Sequence, residues 1–185
     1  MFDLDRVIAD CREAAAAREP QPVIHAILVR ALADPAAVLA AFAQHGPGLH
    51  VLFRSDALTI LNVIWAAGMS IAPHDHRMWA VIGMYAGCEE NTFWRADAAG
   101  RLHAVGTATL RPGEVRSLGS DVVHSVRNPL GRLTGALHAY GGDFFQPAGR
   151  SEWEGQDLLR RDWDPARAAQ RFRTAADAAP QGWEG

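Results

Sequence analysis

From Leu49 to Phe145 the chain alternates short stretches rich in Val, Ile, Leu, Thr and aromatic residues with turn-forming positions at Gly68, Gly83, Gly87, Gly100, Gly106, Pro112-Gly113, Gly119, Pro129, Gly131 and Gly141-Gly142. Glycine tolerates the backbone angles of tight turns and proline stops a helix, so this spacing predicts strands joined by short connections. An antiparallel barrel or sandwich is the expected architecture. The flanks have a different period. Leu4, Val7, Ile8 and Cys11 fall on one helical face, predicting a first helix up to about Arg18 that Pro20 and Pro22 break. A second apolar segment runs from Val23 to about Leu32. Asp34-Pro35 then reads as an N-cap followed by proline at the first helical position, opening a third helix that stops at Gly46. From Ser151 the chain is rich in Ala, Arg and Asp, with a helix-forming run from Ala166 to Ala179. One or two helices packed outside the barrel are expected there, with the last residues fraying.

The 185 residues, about half of them apolar, suffice for one well-buried core but not for two full domains. The expected division is a helical segment over 1–48, a barrel over 49–150 and a helical extension over 151–185, all in a single domain. Eighteen basic and 21 acidic residues give a net charge of −3 with no basic run to follow a phosphate backbone, which argues against a nucleic-acid partner. Cys11 and Cys88 are too few for a disulfide framework and neither belongs to a CxxC pair. The start, MFDLDRVIAD, lacks the basic region of a signal peptide, and no apolar run reaches the roughly 18 residues of a membrane span. A soluble cytoplasmic protein with no membrane partner is the expectation.

The most informative segment is Gly68-Met-Ser-Ile-Ala-Pro-His74-Asp-His76. A strand sends alternate side chains to one face, so His74 and His76 point the same way and Asp75 away from them. Two imidazoles so placed in a barrel make a bidentate metal clamp. His124, in the strand-like Asp121-Val-Val-His124-Ser-Val-Arg-Asn128-Pro, is the candidate third ligand. Three histidines leave coordination positions open for a substrate. His25, His45, His50 and His103 lie in helical or loop contexts without partners at ligand spacing.

These residues resemble a known family. Gly68-x5-His74-x-His76 with Gly87 resembles the first cupin motif, and His124-x3-Asn128 the second. The glutamate usual in the first motif is missing near Ala80, which leaves an all-histidine site. Within the cupins the pattern is similar to the cysteine dioxygenase-like thiol dioxygenases. Pro73-His-Asp-His76, His124-x-Val126-x-Asn128-Pro129 and His138-x-Tyr140 match that family's motifs in order, over about Leu49 to Trp153. The resemblance implies a mainly β fold, the double-stranded β-helix or jelly-roll barrel, holding one iron(II) per chain through His74, His76 and His124. Another divalent metal is compatible with the same ligands. It also implies Tyr140 and His138 as catalytic groups, with Tyr140 donating a hydrogen bond to bound oxygen or substrate.

Three features depart from the pattern. Ala136 stands where a serine usually orients His138, and no cysteine lies near Ala80 or Val81 to cross-link to Tyr140. The carboxylate-binding arginine of animal members has no clear counterpart, since Arg54 aligns poorly; Arg150 is placed for the role that a basic residue after the tyrosine takes in bacterial relatives. The implied reaction is oxidation of a small thiol, of the cysteine or 3-mercaptopropionate type, by O2 to a sulfinic acid. Three neutral imidazoles leave the metal its full double charge, which favours a thiolate ligand. Trp65, Met78, Trp79 and Phe93 are expected to keep water from the site or simply to form core. Two alternatives stay open: another metal-dependent cupin enzyme on a non-thiol substrate, and a cupin that binds a small molecule without turnover.

Overall fold

The computed structural model describes residues 2–146, 148–178, 182 and 183. Three helices lead in: α1 (Leu4–Ala14), α2 (Pro20–Ala31) and α3 (Pro35–Phe42). Asp3 accepts the Arg6 N–H to cap α1, and Asp34 accepts that of Ala37 to cap α3. α1 ends before the expected Arg18, and Pro20 and Pro22 begin α2 instead of preceding it. In a first helical turn the missing proline N–H has no intrahelical acceptor to lose, so proline there starts a helix.

Eleven strands follow: β1 (Gly48–Arg54), β2 (Thr59–Trp65), β3 (Ser70–Asp75), β4 (Ala80–Ala86), β5 (Glu89–Ala96), β6 (Leu102–Leu110), β7 (Val115–Leu118), β8 (Val123–Arg127), β9 (Thr134–Tyr140), β10 (Ser151–Glu154) and β11 (Leu159–Asp162). They form two sheets, ordered β1-β2-β9-β4-β7 and β11-β10-β3-β8-β5-β6, with antiparallel pairing throughout. The inner faces enclose one core. This is the jelly-roll, or double-stranded β-helix. His50 and His103 therefore lie on strands β1 and β6, not in helices or loops, while His25 lies on α2 and bonds Ser117 Oγ.

The central strands β2, β4 and β9 are buried at every residue, because α1–α3 cover the outer face of their sheet. Leu61, Val63, Ile82, Met84 and Ala136 point into the barrel; Ile60, Val81, Leu137 and Ala139 point out against Ile24, Leu28 and Phe42. Each of these side chains larger than alanine contributes about 1.5–3 kcal/mol. Gln21 fastens α2 to the sheet by donating to the carbonyls of Ala80 and Leu118. Gly83 makes the fit possible, since a Cβ there would collide with Leu32. Among the described residues no single helix is long and apolar enough to cross a membrane; α2 and α3 together have the composition but meet at an 88° bend.

The expectation of a helical extension over 151–185 needs correction. Residues 151–162 form the hairpin β10–β11, which extends the second sheet beside β3. All four residues of β11 are exposed and three are charged, so they carry no alternating apolar signal. Charge on an edge strand also discourages pairing with other chains. Helix α4 (Pro165–Ala178) follows, but it does not pack outside the barrel: Ala168 and Phe172 enter the inner core, and the Phe172 ring lies 5.2 Å from that of Trp65. Any fraying at 179–181 and 184–185 concerns positions outside the described residues.

Candidate metal centre

The three predicted ligands meet inside the barrel. His74 on β3 is directly opposite His124 on β8 in the strand register, and His76 follows β3 immediately. Arg77 then adopts φ of 54° and turns the chain away; a left-handed residue without glycine costs on the order of 1 kcal/mol. Asp75 points away from the histidines as its alternation predicts, accepting the Ser151 N–H and pairing with Arg77. The ring centroids of the three histidines are 4.6–5.2 Å apart, and their potential ligand atoms all lie within 4.8 Å of one another.

The donor set fits a divalent metal. His74 Nδ1–H donates to the Ala72 carbonyl at 3.0 Å, and His124 Nδ1–H to Asn91 Oδ1 at 2.7 Å. Both rings thus present an unprotonated Nε2 inward, and such outer partners fix the orientation of ligating rings. His76 Nε2 and His124 Nε2 are 3.0 Å apart. Two nitrogens about 2.1 Å from one ion at a right angle would be about 3.0 Å apart as well. Burial lowers the pKa of His74 to about 4 and lowers those of His76 and His124 below the ordinary imidazole value. Neutral rings, the form that binds metal, are therefore favoured.

Across the pocket lies Arg150, with 1% of its surface exposed. It is no solvated loop residue. Its guanidinium donates to the carbonyls of Asp75 and Phe144 and stands 3.5 Å from the centre of the Trp163 ring. Among the described residues no carboxylate pairs with it directly. Burial pulls its pKa to about 10, still charged at neutral pH. Its NH2 group is also 3.3 Å from His76 Nδ1. A guanidinium only donates, so this contact uses the Nδ1 lone pair and leaves the His76 proton on Nε2, facing His124. For His76 to ligate through Nε2, that proton must move to Nδ1 and Arg150 must release the contact. Arg54 is elsewhere: it pairs through two hydrogen bonds with Asp143 at the end of β1.

Tyr140 and His138 share the inner face of β9, with Tyr140 O 2.9 Å from His138 Nδ1 and the tyrosine ring 5.0 Å from that of His76. Burial raises the Tyr140 pKa, which keeps its hydroxyl protonated. Ala80 is the strand neighbour of Tyr140, so no thiol adjoins the phenol. Asn128 is a turn organiser: its amide donates to the Ala66 and Arg132 carbonyls, and its oxygen accepts from Leu130 and Thr134. Of the expected apolar surround, Trp65 lines the pocket, Met78 and Phe93 pack against the inner core, and Trp79 belongs instead to the outer core under the helices. The cavity left is about 50 Å³, room for only a few water-sized groups.

Several contributors escape sequence reasoning. Trp163 and Phe172 close the pocket, and Arg167 and Arg171 of α4 clasp the buried Glu152 of β10. Glu89 and Asn91 stand behind the ligands on β5. The alternation Glu89, Asn91, Phe93 is a readable sign of one strand face, but only the pairing of β5 with β8 shows that this face meets His124.

No family model matches the chain. Similar solved structures include an oxalate decarboxylase from Bacillus subtilis, with 19% identity and a TM-score of 0.42 over 53% of this chain and 24% of that one. The chain thus spans about a quarter of the length of that enzyme. An uncharacterized double-stranded β-helix protein from Klebsiella pneumoniae gives 14% identity and a TM-score of 0.47 over 63% of this chain and 95% of that one. An RmlC-like cupin protein from Methanocaldococcus jannaschii gives 9% and 0.43 over 52% and 80%. The double-stranded β-helix assignment rests on the order and pairing of the two antiparallel sheets themselves.

Proposed function

We propose that this chain is a non-haem iron(II) thiol dioxygenase that oxidises a small carboxylate-bearing thiol to its sulfinate. The observation that carries this reading is a buried guanidinium that has no carboxylate partner among the described residues and faces three inward imidazoles in one small cavity. His74, His76 and His124 hold the metal, which when bound provides positions for a thiolate and O2 and permits the conversion RSH + O2 → RSO2− + H+. Arg150 binds the substrate carboxylate; releasing His76 Nδ1 frees one of its N–H groups for that purpose. Trp163 and Phe144 flank the guanidinium and confine it, while Trp65 and Phe172 exclude water from the sulfur side. His138 and Tyr140 provide a paired polar group beside His76.

A buried arginine also suits a small carboxylate that ligates a metal through oxygen, so a non-thiol cupin enzyme is the competing reading. Isotope labelling decides between them. The anaerobically iron-loaded protein, given 3-mercaptopropionate under 18O2, should yield a sulfinate carrying two labelled oxygens. A product with one label or none overturns the dioxygenase assignment.

A further inference from the structure

Three acidic side chains are buried among the described residues: Asp75, Glu89 and Glu152. Asp75 pairs with Arg77, and Glu152 with Arg167 and Arg171. Glu89, fully buried, has no guanidinium partner among the described residues. Its Oε2 accepts Trp65 Nε1–H at 3.0 Å and its Oε1 accepts Asn91 Nδ2–H at 2.9 Å. The neighbour within ion-pair range is His138, whose Nε2 is 3.7 Å from Oε2 and has no hydrogen-bond partner.

A buried carboxylate accepts and does not donate, so each neighbour must turn a proton toward it. Asn91 turns its amide nitrogen to Glu89 and therefore its oxygen to His124, which fixes the His124 proton on Nδ1. His138 Nε2 lies 3.7 Å from Glu89 Oε2, beyond hydrogen-bond distance, where the negative carboxylate favours an N–H over a bare lone pair. The other nitrogen, Nδ1, then accepts the Tyr140 O–H across 2.9 Å.

We propose that Glu89 is a positioning residue that assigns both protons: that of His124 through Asn91, and that of His138 directly. Tyr140 then points its hydrogen at His138 and turns its oxygen lone pairs to the cavity, where they accept from the ammonium of a cysteine-type thiol and offer no donor to bound oxygen. This direction is opposite to the one the family resemblance implies. The consequence for turnover rests on the dioxygenase reading; the two proton assignments do not.

The test uses the full chain with 15N-labelled histidine, loaded with zinc(II), which needs no substrate or turnover. Long-range 1H–15N spectra report which ring nitrogen carries the proton, and His138→Gln identifies the His138 signal by its loss. The wild type should show His138 as the Nε2–H tautomer. In Glu89→Gln one amide oxygen cannot serve both Trp65 and Asn91, and its N–H groups favour a bare His138 Nε2 and a turned Asn91. The His138 signal should shift toward the Nδ1–H tautomer and zinc affinity should fall at least about tenfold. Glu90→Gln, on the other face of the same strand, should change neither. An unchanged His138 tautomer or an unchanged zinc affinity in Glu89→Gln overturns the proposal. So does an Nδ1–H tautomer in the wild type, whether or not the variant folds. Failure of the sulfinate assay with these results intact rejects the dioxygenase reading alone.

Discussion

Replacing Arg150 by methionine keeps much of the side-chain volume and removes the charge. The guanidinium bonds two carbonyls and lies against Trp163 and Phe144. Leaving two buried acceptors unpaired costs about 1–3 kcal/mol each, so the variant should melt lower while keeping its fold. The binding effect is separable from this loss. A charge-assisted pair with a substrate carboxylate contributes about 1.5–3 kcal/mol, which corresponds to a rise in KM of roughly 10- to 150-fold for 3-mercaptopropionate. Cysteamine has no carboxylate, and its KM should change less than about twofold. Oxygen uptake at equal iron content, with circular dichroism as the folding control, measures both. Equal responses of the two thiols would show that Arg150 does not bind the carboxylate.

Other consequences can be checked separately. Single substitution of His74, His76 or His124 by alanine should remove most of the metal from a protein that otherwise carries close to one per chain; full occupancy in His124→Ala, measured by elemental analysis, refutes the third ligand. Because Ala80 stands beside Tyr140, the intact mass should equal that of the unmodified chain, and a mass two hydrogens low with Tyr140 in a linked peptide contradicts this. In the metal-free protein, folding keeps His74 neutral with a pKa of about 4 while the unfolded chain protonates near 6.5. The unfolded state then binds more protons in that window, so stability is complete above about pH 6.5 and declines by about 3 kcal/mol toward pH 4. The thermal midpoint of EDTA-treated protein should drop between pH 7 and pH 5, and a flat profile argues against buried neutral rings.

The features legible in the sequence are those with local periodicity. His74 and His76 are two apart on a strand, and alternation alone predicts their common direction. The capped start of α3 is similarly local. His124 is different: its strand-like segment makes it only a candidate third ligand, the family resemblance strengthens that reading, and the β3–β8 register places it opposite His74. Arg150 follows Gly149 and reads locally as a turn residue, yet Phe144 and Trp163, which bury it, come from either side of the β10–β11 hairpin. β11 was illegible because pairing with β10, not side-chain pattern, holds it in place. The position of α4 was hidden for a related reason. Its apolar face, Ala168 and Phe172, specifies burial but not which surface supplies it.

The most direct test of the central claim is oxygen-electrode stoichiometry on protein loaded anaerobically with one iron(II) per chain. With 3-mercaptopropionate or cysteine, one O2 should disappear for each sulfinate formed, and His124→Ala should abolish uptake. The absence of thiol-dependent oxygen uptake across carboxylate-bearing thiols, from protein with full iron content, would contradict the account.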